Sequence, residues 1–144
     1  MSDRVIKFRA KQSEGRGWFY GAYIPPEYAS YNVGTIYNGY MRVEIDEDTL
    51  GQCSGCKDVE GHDIYEDDII ELVDKSDVKC ALIVRFGENP GSQWGGKDSY
   101  GFFVTFTNVK VNETRRQDFL YWQKKGVRVI GNVFDNPELL EDKR

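Results

Sequence analysis

The chain has little of what catalytic and metal-binding sites are usually built from. It holds one histidine and three cysteines in 144 residues. It shows no phosphate-cradling glycine loop and no nucleophile motif. No apolar run approaches the roughly 20 residues that a membrane span requires. The opening Met1-Ser2-Asp3-Arg4 has no signal-peptide core, so a cytoplasmic location without a membrane partner is expected. A basic stripe is also missing. There are 19 Lys and Arg against 24 Asp and Glu, giving a net charge of −5 and a pI near 5.0. The cations cluster only at Arg4-Lys7-Arg9-Lys11, Arg115-Arg116 and Lys124-Lys125. Binders of duplex DNA draw most of their affinity from phosphate neutralisation, so that function is not expected.

Aromatic residues make up 14% of the chain and glycines number 15. Dispersed through many short segments, they favour β structure over a helical bundle. Period-2 alternation predicts a strand over Arg4–Ala10, with Ile6, Phe8 and Ala10 on one face. Gly15-Arg16-Gly17 is a turn, and Trp18–Ile24 is a second strand that stops at Pro25-Pro26. The proline pair excludes helix and sheet interior, which leaves a loop or an edge. Asn38-Gly39 is a strong hairpin signal between Val33–Tyr37 and Tyr40–Asp46, the latter with Met41, Val43 and Ile45 on one face.

Residues 51–72 form the organising stretch. Gly51, Gly55 and Gly61 punctuate short extended pieces, and Glu60-Gly61 can close a hairpin before Ile64-Tyr65. Asp67–Val73 then reads as a strand. Val78–Phe86 alternates cleanly, with Val78, Cys80, Leu82, Val84 and Phe86 on one face. A loop rich in breakers carries Trp94, and Tyr100–Thr107 is an aromatic strand. One helix is expected, capped by Thr114 and Gln117 and ended by Gly126, with Phe119, Leu120 and Trp122 on its buried side. Val127–Phe134 is a last strand, followed by a capped turn at Asn136-Pro137.

The expected fold class is mainly β. Small SH3-like barrel structure is joined by an additional N-terminal sheet or hairpin and one short helix near the C-terminus. Residues 1–50 supply the N-terminal strands. Residues 51–144 supply the glycine-rich turn region and the barrel, within one unit spanning 1–144.

Three blocks then carry a resemblance to the YopX family of bacteriophage and prophage proteins. They are Ile6-Lys7-Phe8-Arg9-Ala10 at the start; Gly51-Gln52, Ser54-Gly55, Lys57-Asp58, Gly61, Ile64-Tyr65-Glu66 and Asp68-Ile69 in the centre; and Val129-Ile130-Gly131-Asn132-Val133 with Asn136-Pro137-Glu138-Leu139-Leu140 at the tail. The resemblance implies a phage-encoded, mainly β protein in the cytoplasm of a bacterial host, with no enzymatic activity to carry onto particular positions. Its structural signature falls on Gly51, Gly55, Gly61, Tyr65, Asp68, Gly131, Asn132, Asn136 and Pro137. The chain departs from the pattern at Cys53, Cys56 and Asp67, where members more often have an aromatic residue, leucine and glycine.

Cys53, Cys56, His62 and Cys80 have the composition of a Cys₃His zinc site. Cys80 sits within an apolar strand face, however, and the resemblance puts apolar residues at the other two cysteines. Core side chains are the better reading, and no metal or cofactor is expected. Asp98–Phe106 resembles the aromatic strand of an RNA-recognition motif but fails in register, so it too reads as core. Glu66, Asp67 and Asp68 could be offered as paired carboxylates, but Asp68 suits capping of backbone N–H groups better. Aromatics near the Pro-Pro segment (Trp18, Tyr20, Tyr23, Tyr28 and Tyr31) and Trp94 in the glycine-rich loop are the remaining hint. Trp18, Tyr28, Tyr31 and Trp94 are the expected partner surface. The function expected is therefore a non-enzymatic interaction module that binds a host or phage protein, or a second copy of itself. Single-stranded nucleic acid is the alternative partner.

Overall fold

The structure, a computed structural model, describes residues 6–29, 32–73, 81–89, 99–106 and 119–140. Among them ten strands form two antiparallel sheets, with a single short α-helix near the C-terminus. The mainly β expectation is met. The chain divides into two compact units, Met1–Gly55 and Cys56–Arg144.

The N-terminal unit contains β1 (Phe8–Lys11), β2 (Trp18–Ile24), β3 (Thr35–Tyr37), β4 (Arg42–Glu44) and the start of β5 (Gly51–Lys57), in sheet order β4-β3-β2-β1-β5. Alternation decides its faces. Ala10, Ile36 and Ile45 are buried together, packed against Phe8, Phe19, Tyr23, Val43 and Leu50. The intervening positions Arg9, Lys11, Trp18, Tyr20, Tyr37 and Arg42 fall on the opposite face. β1 changes partner along its length. Its start pairs with β5 through Phe8↔Gln52 and Arg9↔Gly51. Beyond its end a bridge joins Gln12 to Ile45, flanked by Ser13 N–H to Glu44 O (3.1 Å) and Asp46 N–H to Lys11 O (2.9 Å). The sheet therefore curls until its β4 side meets β1.

Asn38-Gly39 turns the β3–β4 hairpin, but with Tyr37 paired to Arg42 the loop spans residues 38–41, so Tyr40 and Met41, expected in the second strand, lie in the turn. The Asn38 carboxamide accepts the N–H groups of Tyr40 and Met41, each at 2.9 Å, which orders the tip. The Pro-Pro segment is not wholly irregular: Pro26–Tyr28 makes one 3₁₀ turn, with Pro26 at its first position, where a missing N–H costs nothing. A second 3₁₀ turn, Glu47–Thr49, leads into β5, with the Asp46 carboxylate accepting Asp48 N–H at 3.1 Å.

In the C-terminal unit, β6 (Asp63–Tyr65) is next to β5 in the sheet. The four-stranded sheet follows, built from β7 (Asp68–Leu72), β8 (Leu82–Asn89), β9 (Ser99–Phe106) and β10 (Val127–Asn132) in the order β10-β7-β8-β9. The final strand thus lies beside the first, with a bulge between Val129 and Gly131. Helix α1 (Phe119–Lys124) precedes it and buries Phe119 and Trp122. Leu120 is half-exposed rather than buried, because Phe119 and Trp122 occupy the inward positions three residues apart. These two rings join Ile64, Ile70, Leu72, Leu82, Val84, Val104 and Val127 in the core. The helix stops at Gly126, with φ 94°. The expected cap at Thr114 and Gln117, and Cys80, lie outside the described residues.

Candidate functional site

The expected glycine punctuation is only partly met: Gly51 and Gly55 lie within the continuous strand β5, and the turns follow it, anchored by side chains. Gly55 has φ 83° and Gly61 has φ 85°, a region that costs glycine nothing. Between them Asp58 organises the β5–β6 hairpin. Its side chain is fully buried. One carboxylate oxygen accepts the N–H groups of Glu60 and His62, both at 2.9 Å, and the other accepts Val129 N–H from β10 at 3.0 Å. His62 Nδ1 stands 3.5 Å from that second oxygen. Burial alone would push the Asp58 carboxyl up. The amides of Val129, His62 and Glu60, with the His62 side chain, outweigh it and hold the group below the ordinary carboxylate range. Asp58 did not stand out as a site residue in the sequence, although Asp with Gly three residues on is the signal of a turn closed by a side-chain carboxylate.

The next turn, between β6 and β7, holds the acidic run. Asp68 is 2% exposed and accepts Tyr65 N–H at 2.8 Å, while Tyr65 itself is buried. Asp67 takes φ 71°, the conformation that glycine adopts most readily. Its carboxylate receives Arg85 Nη1 at 2.6 Å, its N–H donates to Val84 O and its C=O accepts Val133 N–H. The two aspartates thus hold backbone and an arginine.

The tail signature has an equally local cause. Asn136 Oδ1 accepts Asn132 N–H at 3.2 Å, and Asn132 Oδ1 accepts the N–H groups of Phe134 and Asp135. A Cβ on Gly131 would lie 2.5 Å from Asn136 Oδ1, so only glycine lets the asparagine close this turn. Pro137 then opens the 3₁₀ turn Pro137–Leu140, whose Leu139 N–H reaches Asn136 O.

The proposed zinc set does not gather among its described members. Cys53 is buried, Cys56 packs against the C-terminal core, and His62 sits on the hairpin turn. Among the described residues no group of three or more His, Cys, Asp or Glu is placed to hold a metal ion. The aromatic strand β9 lies in the core sheet, with Val104 buried and Phe102 packed on the cluster.

Of the expected partner surface, Trp18 and Tyr28 are described, while Tyr31 and Trp94 lie outside the described residues. Tyr28, in the first 3₁₀ turn, is 78% exposed. Trp18 is only half-exposed, because the Arg9 guanidinium lies 4.6 Å and Lys11 Nζ 5.6 Å from its ring centroid. Tyr20, one of the aromatics near the Pro-Pro segment, is 45% exposed, and the exposed large apolar residues of the described part of the N-terminal unit also include Tyr37, Tyr40 and Met41. Tyr37, Tyr40 and Met41 flank Asn38-Gly39, and hairpin tips project by construction. Beside the tip, an open cleft of about 350 Å³ is lined by both charge signs, including Glu14, Arg16, Arg42 and Glu44.

The arrangement defines a mainly β protein in which several signature residues shape turns and in which, among the described residues, most of the exposed aromatics lie on the N-terminal unit, with Tyr100 exposed on the C-terminal one. The chain belongs to the YopX family, whose model, described as YopX protein, matches residues 7–141. No curated protein matches the chain. Among solved structures it is similar to protein EF1440 from Enterococcus faecalis, at 21% identity over 95% of this chain and 99% of that one, with a TM-score of 0.49. Among the described residues no helix is long and apolar enough to cross a membrane.

Proposed function

We propose that this chain is a non-enzymatic accessory protein of a bacteriophage or prophage, acting in the host cytoplasm by binding a host or phage protein. The resemblance to phage and prophage proteins supports the origin. The carrying observation for binding is the β3–β4 tip, where Tyr40 is 95% and Met41 55% exposed on a turn held by two Asn38 hydrogen bonds. An ordered tip presenting apolar side chains loses little conformational entropy on contact, so more of the burial free energy remains as affinity. The strand orders support a barrel-type module. The order β5-β1-β2-β3-β4, with a 3₁₀ turn before β5, and the four-stranded β10-β7-β8-β9, with a helix before β10, support an SH3-like reading. Fold analogy carries no partner with it.

The test is capture by tagged protein from infected or lysogenic cells, treated with nuclease, using wild type and a Tyr40→Ser/Met41→Ser variant. A protein retained by wild type and lost with the variant is expected, while the variant's stability stays within about 0.5 kcal/mol of wild type, as for exposed positions generally. If the captured protein is the chain itself, light scattering of the purified protein gives the stoichiometry. Capture that vanishes with nuclease, or that the variant leaves intact, overturns the reading.

A further inference from the structure

The outward face of the N-terminal sheet carries basic side chains on β1, aromatic ones on β2 and β3, and Arg42 with Glu44 on β4. The register gives the rungs: Lys11 opposite Trp18, Arg9 opposite Tyr20, Ala22 opposite Tyr37, and Tyr37 opposite Arg42. Tyr20 and Tyr37 are therefore diagonal neighbours, about 7–8 Å apart at their backbones, with a half-exposed ring on each. Arg9, itself 7% exposed, braces the Trp18 ring from below. Across Arg9, Lys11, Trp18, Tyr20, Ala22, Ile24, Thr35, Tyr37, Arg42 and Glu44, three cations face one carboxylate, in a chain whose net charge is −5. The charge of this wall is thus opposite to that of the molecule.

We infer that this wall binds single-stranded nucleic acid, with Tyr20 and Tyr37 stacking on successive bases and Lys11 and Arg42, one strand further out on either side, contacting the phosphates that flank this pair. Flat π faces spaced along a positively charged track are the recurring arrangement for unpaired strands, since every base offers a face to stack on. A duplex, with its bases already stacked, has nothing to give the tyrosines. The site goes beyond the protein-binding tip and uses different side chains.

The test is fluorescence anisotropy of labelled single strands of about 12 nucleotides, DNA and RNA in parallel, from about 50 to 200 mM salt. Wild type is expected to bind with a log–log salt slope of about −1.4, for two phosphates neutralised at roughly 0.7 each. Tyr20→Ala and Tyr37→Ala should each weaken binding about tenfold, while Tyr20→Phe retains it because stacking needs only the ring. Lys11→Gln and Arg42→Gln should each remove about 0.7 from the slope. Circular dichroism and melting of every variant confirm that the fold is intact. A preference between the DNA and RNA arms identifies the natural strand. The inference is overturned by absence of binding at 50 mM salt, by equal affinity for a duplex, by alanine variants that bind like wild type, or by polyglutamate competing as well as the oligonucleotide. The last result would make the wall a receptor for acidic peptides. Tyr40→Ser/Met41→Ser keeps oligonucleotide binding, so failure at the tip and failure at the wall are separately visible.

Discussion

Asp58 shows how one side chain can hold three pieces of backbone. Its carboxylate takes N–H groups from Glu60 and His62 in its own hairpin and from Val129 in a distant strand. Its folded pKa lies below the unfolded value, near 3.9, so the charged form is preferred in the native state. The stability it contributes is fully present above about pH 4 and is lost as pH falls through the folded pKa. Asp58→Asn should therefore lower stability at neutral pH by about 1–3 kcal/mol, because one buried N–H loses its acceptor. It should also flatten the fall in melting temperature below about pH 4. Melting curves of both proteins between neutral and acid pH check this. An acid limb unchanged by the substitution would show that other carboxylates carry it. Gly131 is the complementary case, a residue required for what it lacks, because the Asn136 carboxamide occupies the space of a Cβ.

At the scale of elements, the β6–β7 turn sets two local effects against each other. Asp67 adopts φ 71°, which strains any residue with a Cβ, yet its side chain holds Arg85. Asp67→Ala and Asp67→Gly both lose the arginine contact, but only alanine keeps the strained torsion. Asp67→Ala should be less stable than wild type, and Asp67→Gly should recover about 1 kcal/mol relative to the alanine variant. Denaturant unfolding of the three proteins measures the difference. Equal stability of the two variants would mean that the turn relaxes to another conformation. Strand β1 makes a second point at this scale. Its partner changes from β5 to β4 within a few residues, and this switch, not a run of hydrophobic residues, curls the N-terminal sheet.

At the scale of the whole molecule, charge is the deciding quantity. With a net charge of −5, the two accessible cations of the N-terminal wall give a duplex too few phosphate contacts for non-specific binding near physiological salt. Gel-shift with a random duplex at about 150 mM salt should show none, since non-specific affinity in this range comes from neutralised phosphates. A retarded band as strong as that given by a single strand of the same length would count against the single-strand reading of the N-terminal wall. The two units carry separate hydrophobic clusters, one around Ile36 and one around Trp122.

Alternation, breakers and one Asn-Gly turn were enough to read from the sequence the mainly β class, the β3–β4 hairpin and the approximate places of β7 to β10, because those signals act between neighbours in the chain. The family blocks were legible because they are built of short contiguous runs; most of their residues lie in strands, and a few, among them Gly61, Asp68, Asn132 and Asn136, shape turns closed within a few positions. Asp58 reaching Val129, β1 meeting Ile45, and Tyr20 falling diagonal to Tyr37 depend on strand pairing across long separations. No periodicity encodes such pairings. Register alone decided that the scattered lysines, arginines and aromatics of the N-terminal half share one wall, since pairing selects which alternate side chains become neighbours.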